Sequence, residues 1–321
     1  GGIEETNTFT KIMIALFGQY SWKGLPEIPP ELIFLPKWFF MNIYECASWT
    51  RSTIMALSII LALKPVYKLN GSESIFELYL DIDKFHNPKK FKAKKFLSYA
   101  NLLLIINAVL KVWDRLPAKV GREKAINRIK EWIIQRQEDD GSWGGIMLPW
   151  LYSLVAFKAL GYSNDHPVMK KGIEGLKDFI IEDEESVLLQ PAVSPVWDTA
   201  WTMNALLESG VDPSDNILQK GGEWLLSKQI NIPGDWIVKN PNLEPGCWSF
   251  EFENKYYPDF DDTAMVCMVL NDIKTNNEKN KKDAIKKGLN WVLGMQNKDG
   301  SWAAFDKDNY NILLKNLPYA D

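Results

Sequence analysis

The sequence predicts an all-α protein in which inner and outer helices form a closed or curved array. Three observations lead there. A helix–Gln–Gly–Trp pattern occurs three times, apolar residues elsewhere recur at three- and four-residue steps, and the alternating pattern of half-buried strands is almost absent.

The first copy of the repeat runs from Arg128 through Trp132 and Gln137 to Gly141-Ser142-Trp143. The second runs from Lys220 through Trp224 and Gln229 to Gly234-Asp235-Trp236, and the third from Lys287 through Trp291 and Gln296 to Gly300-Ser301-Trp302. Gln to Trp is six residues in the first and third copies and seven in the second, and an aromatic sits five residues before each Gln. A Gln amide in a last helical turn can bond backbone groups left open there, and an indole can cover them. The motif reads as a structural clamp on outer helices. Between the copies, residues 150–160 and 199–208 carry helical periodicity and are followed by Gly161 and by Ser209-Gly210, the stop signal of a helix C-terminus.

The chemistry concentrates in Tyr257-Pro258-Asp259-Phe260-Asp261-Asp262-Thr263-Ala264, directly before an apolar run at 265–270. Like charges this close resist ionising together, so a proton is retained near neutral pH. Pro258 precedes a helix start, whose backbone dipoles favour the ionised form instead. The outcome is a stored proton with a stabilised conjugate base. Asp259 taken alone can also read as an N-cap, and clustered carboxylates can also bind Mg²⁺.

Composition excludes several classes. Hydrophobic content of 46% and 24% charged residues describe a folded globular chain. The net charge is −4, and the densest basic run, residues 87–95, reads as a solvated loop and not a nucleic-acid patch. The three cysteines, Cys46, Cys247 and Cys267, lack metal-ligand spacing, and the two histidines, His86 and His166, lie in polar segments. The chain opens like the interior of a domain entering a helix, with no secretory signal. No 18-residue uncharged apolar run occurs; the stretches at 57–63 and 99–110 suit core helices or a helix dipping into one leaflet.

The Gln–Trp repeats together with Asp259-Phe260-Asp261-Asp262-Thr263-Ala264 resemble those of the class II triterpene cyclases, most closely the bacterial squalene–hopene cyclases. Matching segments run in order along the whole chain: Gly1-Gly2-Ile3-Glu4, residues 42–51, 140–146 and 194–199, 234–242, 256–264 and 300–306. The resemblance implies two α/α barrels, with residues 1–193 the later part of an inserted barrel and 194–321 the first half of the catalytic one. Members of the family are longer. The chain is therefore expected to be an internal fragment, with the histidine partner of the acid beyond Asp321 and no cyclase activity of its own.

The implied reaction protonates a terminal alkene of squalene and closes rings through carbocations to hopene- or hopanol-type products, the work of an isomerase with no metal and no cofactor. An alkene is a very weak base, so its acid must be strong and shielded from water. By position Asp261 matches the donor and Asp259 and Asp262 its anchors. Asp198 matches the polar network behind the acid, and Arg51 a water network at the other end. Trp49, Trp197, Phe250 and Phe305 match aromatics whose π-faces stabilise cations, and Ile146 and Tyr152 match residues shaping the cavity's far end. Cys46, Tyr319 and Ala320 match the substrate gate. Phe305 stands where the pattern has Tyr, Met147 where it has Gln, and Cys46 and Ala320 leave a wider entrance. The resemblance also implies monotopic attachment to the cytoplasmic face of a membrane through the helix around residues 102–106, and it allows a homodimer. A C35 polyprene is the alternative substrate, and a non-catalytic helical repeat scaffold the plainest rival.

Overall fold

The computed structural model describes residues 2–68, 74–88, 91–92, 98–117 and 119–316. Tyr319 and Ala320 lie outside the described residues, as does most of the lysine-rich run at 87–95.

Eleven α-helices are described: α1 (Thr8–Leu16), α2 (Ser48–Leu63), α3 (Asp83–His86), α4 (Tyr99–Arg115), α5 (Arg122–Ile134), α6 (Met147–Ala159), α7 (Pro167–Lys177), α8 (Pro195–Glu208), α9 (Asn216–Ser227), α10 (Phe260–Asp272) and α11 (Glu278–Gly294). Local chemistry sets their starts. Asn7, Ser98, Asp215, Asp259 and Asn277 each accept a backbone N–H from the first turn of their helix. Pro167 and Pro195 open α7 and α8, where a missing N–H costs nothing. Gly161 and Gly210, both left-handed, follow α6 and α8.

From α6 onward the helices come in pairs. α6 and α10 bury residues around most of their circumference. α7, α9 and α11 bury one stripe and expose charged faces. This inner–outer alternation is the architecture of α/α barrels, and the protein is all-α as its periodicity predicts. A small departure is the antiparallel hairpin β1 (Ile180–Glu182) and β2 (Val187–Leu189), with Ile180 opposite Leu189. Its turn is held by Asp183, which accepts from the backbone of Glu185 and Ser186.

Apolar side chains form three clusters. The largest runs from Ile3 to Phe179 and centres on α2, which packs against α5 and α6. A second joins α8, α9, α10 and Ala284 of α11, and a third joins Trp236, Trp291 and Met295.

The repeat geometry corrects one pairing. Gln137 donates to Gly141 O and Val168 O, and Trp143 Nε1 donates to Ile133 O at 2.7 Å. Gln296 donates to Gly300 O, and Trp302 Nε1 to Val292 O at 2.7 Å. In the second copy, Gln229 donates to Gly246 O and Ala284 O, and it is Trp248, not Trp236, whose Nε1 reaches Leu225 O at 2.7 Å. In every copy the indole thus bonds the carbonyl four residues before the Gln. The residues between Gln229 and Gly246 form an insertion within the clamp, and Trp236 belongs to it. Close approach requires the first glycine: a Cβ on Gly141, at φ +90°, would fall 2.2 Å from Lys171 O.

Candidate active site

The second clamp leads directly to the acidic cluster. Trp248 O accepts from Asp259 N at 3.1 Å, and Trp248 N donates to the Thr263 hydroxyl at 3.0 Å. That hydroxyl lies 2.7 Å from Asp259 O, to which it donates. Asp259 caps α10, its Oδ1 accepting from Asp262 N at 2.8 Å. Helix start and clamp are therefore one hydrogen-bonded unit, and the acid pair rides on it.

Burial separates the three carboxylates. Asp259 is 5% and Asp262 1% exposed, while Asp261, next to Asp262 in the first turn, is exposed. Burial, then the neighbouring Asp262 carboxylate, hold the Asp259 carboxyl well above the ordinary range. Burial also raises Asp262, helped by the charges of Glu251, Asp261 and Asp198, while contact with Asp259 acts the other way. Among the described residues no N–H or O–H reaches Asp262 Oδ1. Burial and mutual repulsion therefore favour one proton on the pair, held mainly by Asp259.

Backbone bonds bring other expected residues to the same end of α8 and α10. Val196 N donates to Phe250 O at 3.4 Å, placing Phe250 beside the start of α8 and Trp197. Phe260 N donates to Ala304 O at 2.8 Å, which places Phe305 beside the start of α10. Trp197 is half-buried and meets the exposed Trp201 edge-on at 5.6 Å. Asp198 is exposed, accepts from Ser194 Oγ at 2.7 Å and adds its charge to the field at Asp262.

The remaining residues lie in the first half of the chain, and of them Tyr152 belongs to the first cluster. Trp49 lies in the first turn of α2 and is 36% exposed. Ile146 caps α6. Tyr152 is fully buried near Phe9, with no partner for its hydroxyl among the described residues, and burial pushes its phenol up. Cys46 is half-buried, and burial pushes its thiol up to about 11.

Arg51 is held by direct ion pairs and carbonyl contacts. It donates to Asp235 at 2.9 Å, to Asp306 at 3.1 Å and to the carbonyls of Ile43 and Cys46. Asp235 is shared with Arg136. The guanidinium is an ion-pair hub joining α2 to loops of the second half. Beside it Ser52 Oγ and Tyr257 OH lie 2.6 Å apart.

Sequence reasoning passed over Asp235, Asp306, Arg136 and Glu251. Glu251 is 4% exposed and takes 2.8 Å from Asn254 Nδ2. Burial, with the charges of Asp259 and Glu138 adding to it, pushes its carboxyl up to about 8. Glu138, behind Lys255 N at 2.7 Å, is raised to about 7 by burial. No local pattern marks these residues, because their partners come from distant segments.

An all-α, Gln–Trp-clamped protein with a buried carboxyl pair at an inner helix start fits the terpene cyclase class. Comparison with known families narrows this. The squalene-hopene cyclase N-terminal domain matches residues 1–185 and the C-terminal domain matches residues 193–321. The chain belongs to the squalene–hopene cyclase family. It is 41% identical to the squalene–hopene cyclase of Alicyclobacillus acidocaldarius, over all of this chain and 50% of that protein. It is 39% identical to the dammaradiene synthase of Dryopteris crassirhizoma, over all of this chain and 47% of that protein, and 36% identical to the squalene–hopene cyclase of Bradyrhizobium diazoefficiens, over all of this chain and 49% of that protein. The chain spans about half the length of the curated relatives it matches.

Proposed function

We propose that this chain carries the acid of a class II cyclase, an isomerase that protonates squalene and closes it to hopene- or hopanol-type pentacycles. The observation that carries the reading is the buried Asp259–Asp262 pair at the start of α10, directly beside Asp261. Asp261 gives its proton to the terminal alkene, and its neighbours hold the charge state of the cluster. Donation to so weak a base requires a dry face, so the exposed side of α10 is covered by substrate or protein when the proton moves. Trp197, Phe250 and Phe305, gathered at the same helix ends, offer π-faces to the cations that follow. Trp49, Ile146 and Tyr152 shape the far end, and Asp198 tunes the cluster. Cys46, Tyr319 and Ala320 form the gate. Residues 1–193 and 194–321 belong to two barrels, a division supported by the separate clusters ending near Val193 and beginning at Val196. The protein attaches to one leaflet at the cytoplasmic face through α4.

The test is squalene turnover by the full-length protein carrying this chain. Asp261→Asn should abolish hopene formation, a loss of more than about 10²-fold, without changing thermal stability by more than a little, because the side chain is exposed. Wild-type levels of product from the variant would end the reading. A C35 polyprene enters the same assay as the competing substrate.

A further inference from the structure

Cyclisation started by a proton takes one from the acid and releases one from the final cation at another place. The acid must therefore be reloaded in each turnover. Asp259 and Asp262 are walled off from water, so a path to solvent has to be built into the protein.

The structure offers one behind the pair. A cleft of about 320 Å³ opens between the second and first clamps, lined by Asn254, Lys255, Lys228, Asp139 and, at its inner side, Glu251. The Glu251 carboxyl is held by Asn254 on one oxygen. Its stem is pressed on Gly145, where a Cβ would come 2.6 Å from Glu251 Cβ and Cγ; Gly145 sits at φ +62°, so both space and backbone demand glycine. Glu251 lies within electrostatic reach of both Asp259 and Asp262. Among the described residues no donor reaches Asp262 Oδ1.

We propose, resting on the cyclase reading, that Glu251 is the relay that reloads the acid from water in this cleft. After alkene protonation Asp261 is a carboxylate. The proton shared by Asp259 and Asp262 moves to it, the protonated Glu251 carboxyl replenishes the pair, and the Glu251 carboxylate takes a proton from water in the cleft. Each step moves one proton between oxygens, and nothing is oxidised or reduced. Glu251 stays mostly protonated near neutral pH, which suits a group that must give a proton inward. The titratable groups facing it are Asp259 and Asp262 from α10 and Glu138 from the first clamp, with Lys228, Glu253, Lys255 and Asp139 at the mouth. Glu251 touches no substrate; it acts through the pair.

The experiment compares single-turnover and steady-state squalene cyclisation in the full-length protein. Glu251→Gln should leave the first turnover of acid-loaded enzyme unchanged and slow later turnovers by about 10²-fold. Glu251→Asp, which keeps an ionisable carboxyl, should recover much of that loss. Equal loss in both phases, or no loss in either, would overturn the relay. Should Glu251→Gln not fold, the unaltered protein decides the matter: its steady-state rate must fall as pH rises through about 8 while the acid-loaded first turnover does not. Identical pH profiles for the two phases would sink it. An unaltered protein that makes no cyclised product at all refutes the cyclase reading instead, so the two failures are distinguishable.

Discussion

Arg51 is 1% exposed, and its charge is matched by Asp235 and Asp306, which lie 184 and 255 residues away. Such a network gains little over a well-packed apolar equivalent, but removing one partner strands the others in a dry site. Arg51→Met should therefore destabilise the protein by about 3–5 kcal/mol in urea unfolding. A loss under about 1 kcal/mol would mean that the two aspartates find water or another cation. The buried carboxyls act in the opposite sense with pH. Glu251 and Glu138 have folded-state values of about 8 and about 7 against an ordinary 4.5. A raised carboxyl means that the folded state binds more protons than the unfolded one. The stabilisation is complete below pH 4.5 and is lost as pH rises through 7 and 8. Melting temperature should fall across that window, and Glu251→Gln should flatten the fall. A flat profile in the unaltered protein would contradict the burial argument for both groups.

At the scale of elements, the second Gln–Trp clamp separates what was legible from what was not. Helix starts, inner and outer faces and the acidic cap of α10 follow from spacing and capping residues, all local signals. The clamp partner does not. Gly234-Asp235-Trp236 and Gly246-Cys247-Trp248 both have the Gly–x–Trp form of the other copies, and the nearer one looks right by distance. Tertiary charge decides: Asp235 is drawn to Arg51 and Arg136, carrying its segment out of the clamp, while Ile230 bridges to Cys247 and closes the loop behind it. Glu251 was invisible for the same reason, since its burial depends on Gly145 from the other half. The two tryptophans should answer differently to substitution. Trp248→Phe breaks the bond to Leu225 O beside the acid cap, whereas the Trp236 Nε1 has no partner among the described residues to lose. Trp248→Phe should cost about 1–3 kcal/mol more than Trp236→Phe in equilibrium unfolding. Equal costs would return Trp236 to the clamp.

Across the whole molecule, one apolar helix face bears on the proposed membrane attachment. No described helix is long and apolar enough to cross a bilayer. α4 nevertheless exposes Leu102, Ile105, Val109, Val112 and Leu116, at alternating steps of three and four residues, which is one continuous stripe. The opposite side faces protein: Leu103 is fully buried, and Asn107 accepts from Glu27 N at 2.9 Å. If α4 meets a membrane as proposed, the face it presents is the stripe through Ile105 and Val109. Leu103 is core, and Ile106 is half-buried. A stripe of this width lying in one leaflet gains roughly 1.5–3 kcal/mol for each large side chain it submerges. Replacing two central members by Glu forfeits that gain and adds the cost of burying charge. Ile105→Glu with Val109→Glu should lower partition of the full-length protein onto phospholipid vesicles by more than about 10²-fold in a sedimentation assay, with the melting temperature nearly unchanged. Leu103→Glu should do the reverse, lowering the melting temperature because it buries a charge at a fully buried position. If the stripe variant still sediments with vesicles, α4 is not the attachment surface, and its apolar side is covered by protein instead.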